Sequence, residues 1–269
     1  MRGLCVLLCI CIGASRLHAQ EDILLPDASK YKEPVSKLWI NTYGNIRVSK
    51  RLIWIAETHF RFQETENTPF AGQIAQVYNR HALSYIYSKY FNASLGGVLR
   101  VNFNTDALSE GRNVVPEWRI WHQYQFAQPL SSIMVYHRIR IEHRWSQGFA
   151  QESAYIFRNR WRYMLRIKVP LNSHKFEPGT WYLSPESELI LQSGKEVVGS
   201  VLEDLRLTTT LGYILTPRLT VAAGLMYSQG QDFDNPGIYK QGWTVRCHLY
   251  YAPDFRKVRN KLPAIHLDD

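Results

Sequence analysis

From Trp39 onward, apolar and polar residues alternate with a period of two, stretch after stretch, as far as Tyr251. Within 51–63, Leu52, Trp54, Ala56, Thr58, Phe60 and Phe62 share one face, and Arg51, Glu57, His59 and Arg61 share the other. Within 133–145, Ile133, Val135, Ile139, Ile141 and Trp145 oppose Arg138, Arg140, Glu142 and Arg144. Within 155–169, Tyr155, Phe157, Trp161, Tyr163, Leu165, Ile167 and Val169 oppose Arg158, Arg160, Arg162, Arg166 and Lys168. Successive side chains of a strand leave opposite faces, which a helix cannot arrange. Less sharply alternating segments near 39–48, 76–87, 91–104, 114–126, 180–192, 203–215, 219–229 and 242–251 bring the candidates to eleven. No stretch after the N-terminus reads better at helical period, and no linker divides the succession. The chain is read as all-β and as one domain.

These segments run to about 10–15 residues, where strands of water-soluble proteins usually have about five or six. About ten alternating residues, tilted, cross a membrane. Connections also alternate in length: short ones near 49–50, 88–90, 127–130 and 216–218, longer polar ones near 64–75, 105–113, 146–153, 193–200 and 230–241. The pattern predicts a single antiparallel transmembrane β-barrel with short periplasmic turns and longer extracellular loops, in which closure satisfies every strand N–H and C=O. A soluble sandwich or lipocalin-like barrel alternates too, with its apolar face inward. The arginine ladders mixed with Glu, His and Asn favour a polar lumen instead. Aromatics near strand ends are the candidate membrane-interface residues: Trp54, Phe60, Phe62, Phe126, Trp145, Tyr155, Trp181, Tyr213, Tyr227, Trp243 and Tyr251. Because antiparallel closure wants an even number, ten or twelve strands are expected. Either 23–31 adds one, or 39–48 or 180–192 is not a full wall strand.

Residues 1–19 carry Arg2, an apolar run from Leu4 to Ile12 and a small-residue end before Gln20, the layout of a secretory signal peptide. The run is too short to cross a bilayer, and the surroundings of Cys5, Cys9 and Cys11 lack a lipoprotein pattern. Removing it takes three of the four cysteines, so Cys247 can form no internal disulfide, and lowers the formal charge of +9 by two. The expected organisation is a signal peptide at 1–19, a periplasmic segment or poor first strand at 20–36, the barrel at 37–252 and a periplasmic extension at 253–269. The positive excess invites a nucleic-acid reading, but its arginines are spread along strands and form no patch, so no nucleic acid is expected.

Chemistry is sought on the inward face. The candidate lumen network is Arg61, Glu117, Arg119, Arg138, Arg140, Glu142, Arg144, Arg158, Arg160, Arg162, Arg166, Glu186, Glu188, Arg206 and Arg246. Paired, such charges tolerate burial and plug a narrow barrel. Left in excess, they make an anion-selective conduit or a site for anionic small molecules or lipid headgroups. The amount of positive charge without a carboxylate separates the two readings. A third reading is a lipid hydrolase or acyltransferase, with inward His59 beside Glu57 or Glu117 and a serine such as Ser94. His248 also points inward; His122, His137 and His143 point outward. Arg61 follows His59 on the same face and argues against a metal there, and Asp232, Asp234 and Asn235 read as solvated loop residues rather than a calcium site. No phosphate-cradling glycine loop is present, no cofactor or metal is expected, and Cys247 reads as a small hydrophobe.

The order of features resembles a family of Bacteroidetes outer-membrane proteins labelled domain of unknown function 2490. The resemblance is carried by the strand with Trp39, the Arg61–Phe62 strand, the basic strands 136–145 and 160–166, and Glu186 and Glu188 within 182–191. It continues through Gly212 and Tyr213 before Pro217, and Gly224 and Tyr227 after it. It implies a bacterial outer-membrane location and a barrel fold, with no catalytic residues to carry over. The expected surroundings follow from that class: outer-membrane lipid and lipopolysaccharide, the export and barrel-insertion machinery, and a monomeric state.

Overall fold

The computed structural model describes residues 30–105, 111–197, 200–232, 235 and 237–257. The expected signal peptide, most of 20–36 and the end of the 253–269 extension lie outside them. Eleven strands follow one another: β1 (Val35–Arg47), β2 (Leu52–Thr65), β3 (Thr68–Ser88), β4 (Phe91–Phe103), β5 (Val114–Leu130), β6 (Ile133–Ser146), β7 (Ile156–Pro170), β8 (Trp181–Ser193), β9 (Leu202–Thr216), β10 (Leu219–Gln231) and β11 (Tyr239–Tyr251). Each pairs with its sequence neighbours, and β1 pairs with β11, so the sheet closes.

Eleven corrects the expectation of ten or twelve. Both segments doubted as wall strands are full strands, β1 and β8. In an up-and-down succession, an odd count leaves the first and last strands pointing the same way. The closing pair is accordingly parallel, from Val35 beside Gly242 to Gly44 beside Tyr251. It continues past the end of β11: Arg47 N–H donates to the Pro253 carbonyl at 2.9 Å, and Phe255 N–H to the Arg47 carbonyl at 3.0 Å. The start of the expected C-terminal extension therefore still follows β1. Hydrogen bonds from Arg256 hold the Asp254 carboxyl below the usual carboxylate range there.

The alternation of short and long connections has two exceptions. At the short-turn end, residues 48–51, 89–90, 131–132 and 217–218 join strands, but so does the longer segment 171–180. At the other end, the expected loop at 64–75 is a hairpin, with β2 and β3 running on to a turn at 66–67. The register shifts between Arg61 and Phe62 and again between Gln63 and Thr65. A bulge reverses the inside–outside alternation locally, so a strand crossing two of them shows no period of two.

The faces divide as the alternation predicts. Along β5, Val115, Glu117, Arg119, Trp121, Gln123 and Gln125 are buried inside the barrel, while Trp118, Ile120, Tyr124 and Phe126 are exposed outside. Large apolar side chains are exposed all round, among them Leu83, Leu95, Ile139, Leu189, Leu207, Leu225 and Leu249. One lumen contact depends on the absence of a Cβ: the buried Tyr182 ring of β8 covers Gly212 of β9, occupying the space a side chain would need. Gly212→Val should lower unfolding stability by about 1–3 kcal/mol through forced displacement of that ring. Gly97→Ala, whose Cβ would meet only the Arg119 carbonyl at 3.6 Å, should leave the urea midpoint of the detergent-folded protein unchanged or higher.

Candidate functional site

The register of the sheet sets arginines beside carboxylates inside the barrel: Arg100 opposite Glu117, Glu142 opposite Arg160, Arg166 opposite Glu186 and Glu188 opposite Arg206. Most of the expected lumen residues form ion pairs, in a large cluster around Glu117, Glu142 and Glu188 and a smaller one around Glu186. Fully buried Glu117 accepts from Arg119 at 2.5 Å, and lies 2.9 Å from Arg100 and 3.1 Å from Arg144. Fully buried Glu142 binds Arg119 at 2.7 Å and Arg162 at 2.9 Å. Glu188 holds Arg138 at 2.6 Å and Arg162 at 2.7 Å, and Glu186 holds Arg166 at 2.6 Å. Arg246 is more distant, 3.9 Å from Glu186. Arg158 donates to Ser146 Oγ at 3.3 Å. Among the described residues Arg61 meets no carboxylate; its guanidinium lies 3.8 Å from the Trp39 ring centre and 4.0 Å from that of Tyr78, and donates to the Tyr78 hydroxyl at 2.8 Å. Two ring faces take the part of a counterion there.

Further charged residues of the lumen were not among the expected ion pairs. Glu57, expected only as a partner of His59, also binds Arg80 at 2.6 Å, and Arg100 binds Glu117 as above. Arg80 and Arg100 sit on weakly alternating segments, although their spacing from Tyr78 and Asn102 carries the inward parity. Glu203 pairs with Arg160 and, at 3.2 Å, with Arg144. A register shift beside Ile190 and Leu191 turns Glu203 inward next to Asp204, which binds Arg206 at 2.6 Å. Parity counted from Thr208 would have put Glu203 outside. Among the described residues, Arg80 and Arg100 join the eleven expected arginines, while Glu57, Glu203 and Asp204 join the four expected glutamates. Cations remain in excess.

The half of the lumen nearest the short turns is less filled. A cavity of about 90 Å³ lies mid-barrel, lined by Glu57, His59, Ser94, Gln123, Arg140 and Arg162, among others. A larger one, about 350 Å³, lies at the short-turn mouth under 171–180, lined by Tyr136, Lys168, Lys175, Phe176, Tyr182 and Arg218. Both touch Asn45. A third void of about 10 Å³ lies between them, bordered by Arg166, Glu186 and Arg246 of the inner cavity and by Lys168, Tyr182 and Tyr250 of the outer one.

The hydrolase constellation is only partly assembled. His59 Nε2 lies 3.0 Å from Glu57, as that reading requires, but among the described residues buried Ser94 Oγ has no hydrogen-bond partner and no hydroxyl bonds to His59. His248 is buried with its ring stacked beside Tyr43 and Tyr250. His137 and His143 point outward, bonded to Tyr163 at 2.8 Å and Asn159 at 2.7 Å. Asp232 is taken by Lys32 and, at 3.1 Å, by Lys240; Asp234 lies outside the described residues. Among the described residues no group of three His, Cys, Asp or Glu side chains could hold a metal ion. Cys247 is a free thiol on the outer face.

Of the aromatics expected at the membrane interface, Phe126, Trp145, Trp181 and Trp243 are exposed on the outer face. Trp181 and Tyr213 pack at 4.7 Å near the short turns, where Phe91 and Phe126 stack at 4.6 Å. Trp145 and Phe157, and Tyr227 and Trp243, each lie 5.1 Å apart near the other end. Trp54, Phe60, Tyr155 and Tyr251 are exposed, and Phe62 is half-buried.

A protein-family model described as a protein of unknown function (DUF2490) matches residues 36–238, from the start of β1 to the residue before β11. No curated protein matches the chain. Within the network, Glu142→Ala leaves Arg119 and Arg162 buried without that partner and should lower stability by about 3–5 kcal/mol. Lys89→Ala, on an exposed turn, should change it by less than about 0.5 kcal/mol in the same urea titration.

Proposed function

The chain belongs to this family of proteins of unknown function, and from its inside-out barrel we propose an outer-membrane protein whose lumen is closed by ion pairs. The observation that carries the reading is the wall: a belt of exposed Leu and Ile around the outside, with nearly every arginine of the strands turned inward. In water that belt would be an unusually large apolar surface; in lipid it is the solvated one. Strands of 13 to 21 residues, at about 3.3 Å per residue and about 40° tilt, give a wall of about 33 Å or more, enough for an apolar band of about 25 Å. The two aromatic groups near the strand ends suit the headgroup levels on either side.

On this reading residues 1–19 direct export, the barrel-insertion machinery places the chain, and the short-turn end faces the periplasm. Outer-membrane lipid and lipopolysaccharide surround a monomer, since the sheet closes on itself and needs no second chain. The Glu117, Glu142, Glu188 and Glu203 clusters fill the lumen toward the longer loops, so the protein acts as a walled, plugged barrel rather than an open pore. Boiling should slow its gel migration, and reconstitution in planar bilayers should give no steady conductance. The same migration with and without boiling overturns the membrane barrel. An open anion-selective pore whose conductance falls in an Arg160→Gln/Arg162→Gln variant overturns the closed lumen.

A further inference from the structure

The inner cavity has a feature that plugging does not explain. Arg140 is 5% exposed, yet among the described residues no carboxylate pairs with it. Its Nε and Nη2 both donate to one neutral oxygen, Gln123 Oε1, at 2.8 and 2.6 Å. Its Cζ lies 4.7 Å from the centre of the Trp121 ring, and Arg80 approaches the same ring at 5.7 Å. Directly opposite on β7 stands Arg162, and Arg138 is the next inward residue on β6. The surrounding carboxylates are taken: Glu142 by Arg119 and Arg162, Glu188 by Arg138 and Arg162, Glu57 by Arg80 and His59. A buried cation among cations, with no carboxylate of its own in contact, is unfavourable.

We propose that this cavity binds a small oxyanion of the phosphate or sulfate type, with Arg140 as its principal contact. The row of residues in register at that level supplies the other donors. Ser94 of β4 stands opposite Gln123 of β5, which stands opposite Arg140 of β6, which stands opposite Arg162 of β7. All four line the cavity, and Ser94 Oγ is buried with no partner among the described residues, available to donate. The volume of about 90 Å³ holds such an anion with a water or two, and the guanidinium fork matches its oxygens. Entry is assigned to the short-turn end, where Lys168, Lys175 and Arg218 outnumber Glu177 in the lining of the outer cavity, and Arg166 and Arg246 outnumber Glu186 where the small void borders the inner one. Lined this way, the passage raises the local concentration of anions and disfavours cations.

The site rests on the closed-lumen reading, and separate measurements distinguish their failures. Thermal unfolding of the intact detergent-folded protein is followed against inorganic phosphate, sulfate or chloride at matched ionic strength. Phosphate or sulfate should raise the midpoint saturably above chloride, as a ligand of the folded state does. Arg140→Gln removes a cation with no carboxylate partner, so it should fold, and it should weaken the apparent phosphate affinity by about tenfold or more. Gln123→Glu should place a carboxylate on the Arg140 guanidinium, raise the midpoint without anion and abolish the response. No saturable effect beyond chloride, or an undiminished response in Arg140→Gln, overturns the site. Conductance in bilayers overturns the closed lumen instead, whatever the anion titration gives.

Discussion

Closure of the sheet on itself is the constraint from which the remaining features follow. A strand edge left open in hydrocarbon would expose N–H and C=O groups with nothing to bond. Here the last strand returns to the first, and because the strands number eleven, the two run parallel. That pair is hydrogen bonded along the length of β1 and prolonged by Arg47 with Pro253 and Phe255. Parallel closure lets an odd number of strands make a complete wall, so no strand need be added or lost.

Once closed, the barrel encloses whatever the inward parity delivers, and here it delivers mostly arginine. Among the described residues, thirteen guanidiniums would repel one another without seven carboxylates placed among them. The glutamates are shared: Glu117 serves three arginines, and Glu142 and Glu188 each serve at least two. Aromatic faces compensate where carboxylates are lacking, as Trp39 and Tyr78 do for Arg61. Arg140 has one ring and one amide, which leaves it as the point where the lumen attracts an anion from outside.

Most of the wall was legible in the alternation, because a side chain on the outer face and one in the lumen are chosen for different surroundings and the period is two. Arg138, Arg140, Glu142 and Arg144 on β6 and Arg158 to Arg166 on β7 are placed as their parity requires. Legibility failed where the backbone leaves the strict pleat. The bulges at the far end of β2 hid a hairpin inside what reads as a loop at 64–75. The shift beside Ile190 and Leu191 turned Glu203 inward against its parity. Segment 171–180, which covers the short-turn mouth, falls at the end where only tight turns were expected.

By itself, the sequence determined the fold class, the strands, the sidedness of their residues and the surplus of positive charge. These depend on local spacing, which a single chain displays directly. The tertiary structure decided the count of strands that close the wall, the register across each pair, and hence which arginine meets which carboxylate. Pairing across strands depends on residues tens of positions apart, brought level by turn lengths and bulges that leave no periodic trace. For that reason the excess charge was visible in the alternation, but its location at Arg140 was not.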